Sequence, residues 1–481
     1  MKKRKKLLII ILLGVFSSIV QAQYMFYGTT ATGGAYNKGT IFNYNPKTNV
    51  ETVLFSFDGS NGNEPESKLL YASDSLLYGT TNLGGVLNRG TVFSFNWKTN
   101  MENVAIYYDS LNGYRNAGGN ELIQAKNGLL YGTSWEGGTY DRGVLYSYNI
   151  ITKRDSVLYN FGDSVSGVIP FMALWEDTLS GILYGVNDLG GKLNGGVLHG
   201  YNTLSNKDSA YVSFKWQDTS APSEPSCTLL KASNGLLYGM SFVGGDSNFG
   251  SIYTFNTITG AMNTVFQFNQ IDGAYPDGNG LIQLSNGLIY GTTDLGGSAN
   301  GGVLFSFNPV NNSENVLVNF NNASGANPVE YLVQDPDNGL LYGITNYGGS
   351  ANMGVLYSFD TGTSTYTKLI DFTGTNGAYP TGLTLIYDTL ISTGANKINA
   401  SASVRIYPNP SNGQFTLSLS NIKEKCQVEI YNVLGEKVTS EELRAKSEEL
   451  NLSSQPNGIY LYRVVKEDGG LVGEGKVVLL R

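Results

Sequence analysis

The chain has 481 residues, 15% of them charged, a formal net charge of −8 and one histidine. So acidic a chain is not built to hold nucleic acid, and a single histidine excludes a multi-histidine metal site. Two cysteines 199 positions apart, Cys227 and Cys426, make no disulfide framework, so core burial must hold the chain together.

The N-terminus places five cations, Lys2 to Lys6, before an apolar run from Leu7 to Val20 and the small-residue site Val20-Gln21-Ala22. This is the pattern of a secretory signal peptide over 1–22, cut between Ala22 and Gln23. Its apolar run is shorter than the roughly 20 residues needed to cross a bilayer. Cleavage takes the formal charge from −8 to −13. No later stretch is long and apolar enough to span a membrane.

From Tyr27 onward one phrase recurs. YGTTATGGAYNKG has counterparts at Tyr78, Tyr131, Tyr184, Tyr238, Tyr290 and Tyr342, spaced 51, 53, 53, 54, 52 and 52 residues apart. Such a period belongs to arrays and propellers. Within 281–320 the segments LIQLS, LIYGTT, GVLFSFN and ENVLVNF have strand length and composition, and the separators SNG, DLGGSANG and PVNNS have turn chemistry. Four antiparallel strands per repeat, labelled a to d from the centre outward, describe a propeller blade, and seven blades describe a closed ring. YMFYGTT, GTIFNYN and ETVLFSF supply b, c and d of the first blade, whose strand a must come from 382–394. There LIST competes with MFYGTT for one b position, and the sequence leaves that choice open.

The phrase is then the b-to-c hairpin. Its Gly-Gly pair and final Gly suit positive φ. So does the residue two before that Gly, which is Asn37, Asn88, Asp141, Asn194, Asn248, Asn300 or Asn352. The pattern LYGTT..GG....G.[VL][FY]S[FY] resembles the GloVer tandem repeat of exported bacterial proteins over about 24–394. That resemblance implies the fold and carries no activity with it.

After the polar linker 395–403 come VRIYPNPSNGQFTLSL, VEIYNVLGEKV, LNLSSQPNGIYLYRVV and GKVVLLR, which predict a small Ig-like β-sandwich over 404–481. In order and content these motifs resemble the type A sorting domain of the type IX secretion system. The resemblance implies that 404–481 engages the secretion machinery and takes the protein across the outer membrane. It also implies that the domain is cleaved, in or near the linker, while the cargo is secreted or attached to surface lipopolysaccharide. The expected location is secreted or on the outer cell surface, and any activity would reside in the propeller, 23–394.

Catalytic residues are hard to find, and no motif calls for a metal or a cofactor. His199 occupies the c-strand slot that elsewhere holds Phe42, Phe93, Tyr146, Tyr253, Phe305 and Tyr357, and Cys227 reads as core. Asp272 and Asp277 lack the twelve-residue calcium-loop spacing. One polar register of strand a, Tyr71, Gln124, Glu176, Lys231, Gln283 and Gln334, with Tyr387 from the closing strand, could ring the channel, and Glu176 beside Lys231 suggests an ion pair. A glycosidase would need a second carboxylate there. The two positions before Gly-Gly vary freely, and Trp135, Glu136, Phe242 and Tyr347 among them suit a ligand-binding surface, with packing against the next blade as the alternative. A binding or adhesion module for a glycan or surface protein is the first expectation, and a propeller lyase or hydrolase working at the channel mouth the second.

Overall fold

A computed structural model describes residues 23–114, 121–162, 165–218, 220–276, 280–388, 404–419, 426–432, 437–443, 447–466 and 471–480. The signal peptide with Ala22, Asp277, the LIST segment and the linker lie outside them. The chain divides into two compact units, Ala22–Thr389 and a second that holds Leu390–Arg481. Among the described residues every regular element is a β-strand.

The first unit is seven antiparallel sheets in chain order, each with the path a-b-c-d. Blade 6 is representative, with Ile282–Gln283, Ile289–Thr293, Val303–Asn308 and Ser313–Asn319. Blade 1 takes its strand a from the far end of the unit. Ala378–Asp388 pairs with Gln23–Thr32, so Tyr24 faces Tyr387 and Gly28 faces Leu383. The MFYGTT segment therefore holds the contested b position. Strands a of neighbouring blades contact one another, as in blades 3 and 4, 6 and 7, and 7 and 1, which places them around the axis.

The repeated phrase has a physical reason at each position. In blade 6 the Tyr290 hydroxyl accepts from the Asn286 carboxamide at 2.9 Å, tying strand b to the turn that precedes it. The same bond joins Asn127 to Tyr131, Asn234 to Tyr238 and Asn338 to Tyr342, and in blade 2 the Tyr78 hydroxyl donates to Asp74. The following glycine lies under the aromatic ring of strand c, so that a methyl group on Gly291 would sit 2.7 Å from Phe305. In the hairpin all seven Asn or Asp residues predicted for the left-handed region have φ between 52° and 64°. In six blades that side chain also accepts from the first glycine N–H, as Asn300 does from Gly296 at 3.1 Å.

Hydrophobic burial lies between blades. One cluster joins Met240, Ile252 and Phe268 of blade 5 to Ile289, Val303 and Phe305 of blade 6, and another joins Tyr342, Leu356 and Phe372 of blade 7 to Phe26, Phe42 and Leu383 of blade 1. Each buried aromatic contributes roughly 1.5–3 kcal/mol. Cys227 belongs to this interior and is free, its thiol pushed up to about 12 by burial.

The second unit packs a three-stranded sheet (Val404–Tyr407, Gln414–Leu419, Ser447–Asn451) against a four-stranded one. Phe415, Leu417 and Leu450 of the first meet Val428, Ile430, Val464 and Val477 of the second in one core, which makes a small β-sandwich.

Candidate functional site

The antiparallel path puts the b-to-c hairpins and the d-to-a loops at one end of the propeller and the a-to-b and c-to-d turns at the other. The predicted positions fall on both ends.

At the hairpin end, Trp135 is half-buried, and Glu136 exchanges backbone hydrogen bonds with Tyr114. Phe242 of blade 5 stacks on Tyr275 of blade 6 at 5.3 Å, and Tyr347 of blade 7 meets Tyr379 of the closing strand at 5.4 Å while keeping 42% of its surface exposed. Phe242 and Tyr347 thus bridge blades and also border the open face.

The channel candidates sit where strands a turn into strands b, at the opposite end. Gln124 and Gln283 each reach the turn of the preceding blade, accepting from the backbone N–H of Ser73 (2.8 Å) and Ser233 (2.7 Å). Gln334 donates to the carbonyl of Gly339 at 3.0 Å. Glu176 does not pair with Lys231. Its carboxylate accepts from the Lys126 N–H at 2.9 and 3.1 Å, while Lys231 donates to the Gly235 carbonyl and lies 5.6 Å over the Trp175 ring. The Lys126 N–H is a donor held in place by its turn, whereas the Lys231 ammonium keeps the carbonyl of its own turn and crosses to the Trp175 ring of blade 4, the residue beside Glu176. Tyr71 and Tyr387 are the exposed aromatics of this register.

His199 is fully buried. Its Nδ1 lies 2.8 Å from the equally buried Asp208, and its ring packs edge-on to Phe161 at 5.1 Å. A general base must reach a substrate proton, and this imidazole is enclosed on all sides.

Sequence reasoning passed over the residue just before the final Gly of each hairpin. There the backbone meets the next blade, with the Lys38 carbonyl accepting from Glu64 N–H, that of Arg142 from Ile169 N–H and that of Phe249 from Tyr275 N–H. Reading the hairpin columns after Gly-Gly as well as those before it would have found these positions.

A ring of seven antiparallel blades, followed in the chain by a separate two-sheet C-terminal domain, defines a β-propeller with an appended β-sandwich. The Gloeobacter/Verrucomicrobia repeat family matches residues 14–120, 115–279 and 203–404, and the secretion system C-terminal sorting domain matches 405–478. The chain belongs to that repeat family and carries that sorting domain, so it is delivered to the cell surface or secreted. No curated protein matches it. Among solved structures it is similar to candidate 6-phosphogluconolactonases from Bacteroides uniformis (TM-score 0.53, 13% identity, covering 76% of this chain and 99% of that one) and Bacteroides fragilis (0.52, 15%, 76% and 98%). It is also similar to the extracellular domain of a candidate hybrid two-component system from B. thetaiotaomicron (0.50, 12%, 94% and 69%). At these identities the likeness is one of fold.

Proposed function

We propose that the propeller is a binding or adhesion module at the bacterial surface, taking a glycan or a surface protein on its hairpin face. The observation that carries this reading is the hairpin itself. Seven copies keep one backbone, with positive φ at matching positions, while the positions beside Gly-Gly hold residues as different as Trp135, Asp188, Phe242 and Asn346. A constant frame with variable side chains suits recognition. The sorting domain supports a role outside the cell, and the enclosure of His199 argues against the alternative of a hydrolase or lyase that uses it as a base. Screening the secreted protein on a glycan array, with Trp135→Ala and Tyr347→Ala in parallel, tests the reading. Turnover of an arrayed sugar in place of retention would replace it with the enzyme reading.

A further inference from the structure

The seven hairpins are alike in backbone but fall into two groups by what they expose. The residue before the left-handed Asn or Asp is Tyr36, Leu87, Tyr140 and Leu193 in blades 1 to 4, and these are 61%, 56%, 60% and 51% exposed. In blades 5 to 7 the same position holds Ser247, Ala299 and Ala351. The seam residue just before the final Gly divides in the same way. It is Lys38, Arg89 and Arg142 on blades 1 to 3, then Gly195, Phe249, Gly301 and Met353. Three consecutive seams therefore carry a cation beside an exposed apolar tip, in a chain whose net charge is −8.

These cations stand outside the ion pairs of the described residues. Among the described residues Lys38 and Arg142 make no ion pair, and the Arg89 guanidinium rests 4.6 Å over the Tyr114 ring. Acids on the same seams have other partners: Glu64 accepts from Asn82 at 3.3 Å, and Asp141 accepts from the Tyr114 hydroxyl at 2.8 Å and from Gly137 N–H at 3.1 Å. At the end of the arc Arg142, Val168, Leu189 and Trp216 line an open groove of about 530 Å³. Trp216 stands in a d-to-a loop that holds no tryptophan in any other blade, and the residue is 44% exposed.

We propose that this arc, the hairpin face of blades 1 to 4, is a subsite for an acidic polysaccharide. The proposal rests on the binding reading above and deepens it. Guanidinium groups pair with carboxylates and sulfates through two parallel hydrogen bonds. Exposed aromatic and aliphatic side chains cover the apolar C–H faces of sugar rings. A polymer that repeats its charge matches cations repeated from seam to seam, and the Trp216 groove receives one of its rings.

The test uses the full chain from Gln23, with polygalacturonate as the carboxylate probe, dextran sulfate as the sulfate probe and dextran as the neutral one. The protein should bind at least one anionic polymer, more weakly as salt is raised, and should not retain dextran. The triple variant K38Q/R89Q/R142Q should lose about tenfold or more in affinity with an unchanged melting temperature. K98Q/K153Q/K207Q, on the turns at the opposite end, should bind as the parent does. A second variant, Y36A/Y140A, should weaken binding while keeping its salt dependence. Absence of binding to both anionic polymers, equal binding to dextran, or undiminished binding by the triple variant would overturn the arc. A neutral glycan held through Trp135 or Tyr347 would overturn it too, while leaving the binding reading in place. Capture of an acidic protein through the same three cations would overturn the polysaccharide.

Discussion

The Asn376 carboxamide donates to the Glu51 carboxylate at 3.4 Å, tying the loop that leads into the closing strand to the outermost strand of the blade it completes. Asn61 makes the same bond to Glu102 at 3.1 Å in blade 2. In blade 6 the loop residue is Asp272, and it faces Glu314 with a like charge. Each of the three glutamates keeps one buried oxygen without a partner. Burial, the dominant cause, raises Glu51 and Glu102 to about 7 and Glu314 to about 8, with Asp272 adding to the last.

A folded-state pKa raised above the ordinary value near 4.5 means that the native state holds the proton more tightly. The resulting stability is full below about pH 4.5 and is lost as the pH rises through 7 and 8. The propeller should melt several degrees lower at pH 9 than at pH 5, and Glu51→Gln with Glu102→Gln and Glu314→Gln should flatten that slope. Scanning calorimetry against pH reads both, and a slope that the triple variant leaves unchanged would assign it to other groups.

In the sorting domain the sign is reversed. Lys437 at 2.6 Å and then Arg463, with burial opposing them, pull Glu429 down to about 2. That domain's contribution is present above about pH 4.5 and is lost as the pH falls toward 2. The separate melting transition of 404–481 should therefore weaken in acid, and Glu429→Gln should remove the dependence.

Ring closure rests on one strand. A chain ending at Asp388 keeps Leu383 and Ile386 buried against Gln23–Thr32, whereas one ending at Asn376 leaves that edge bare. Unpaired edges template aggregation. Sizing should show the first as a monomer and the second as aggregated, and two equally stable monomers would refute closure by this strand.

Two glycines of one phrase should fail for different reasons. Gly291→Ala forces the Phe305 ring out of its seat, an overpacking cost of about 1–3 kcal/mol. Gly297→Val places a β-branched residue at φ 73°, at a cost of about 1 kcal/mol or more. Chemical denaturation measures each, and a second-site Phe305→Leu change should rescue the first alone.

Phe242→Ala should lower stability more than Tyr347→Ala, because Phe242 is half-buried on Tyr275 whereas Tyr347 keeps much of its surface open beside Tyr379. If the hairpin face binds ligand, Tyr347→Ala should weaken binding more than it weakens the fold. Thermal melts paired with binding curves separate the two effects.

Both transport devices should be removed in the secreted form, after Ala22 and within or near 395–403. Intact-mass spectrometry of the secreted form that finds 404–481 still attached would count against the second cut.

Strands, hairpins and the sorting module were legible because their causes are local. A residue alternates faces with its neighbours, and Asn300 needs positive φ whatever lies across the blade, so seven copies of the phrase write the turn seven times. The closing strand within 382–394 was legible too, but its register and the other contacts between distant residues left no such trace. That Tyr24 would lie beside Tyr387 depends on the register in which the closing strand enters blade 1, and that Glu176 would take the Lys126 N–H in place of Lys231 depends on how one blade is set against the next. That Asn376 would hydrogen-bond Glu51 depends on how the incoming loop crosses the outer strand. The hairpin face divides in the same way. The columns before Gly-Gly drew notice for their variety, yet Phe242 and Tyr347 are partly taken up by the next blade. Tyr36, Leu87 and Tyr140 stay more than half exposed, a matter of packing that no single repeat encodes.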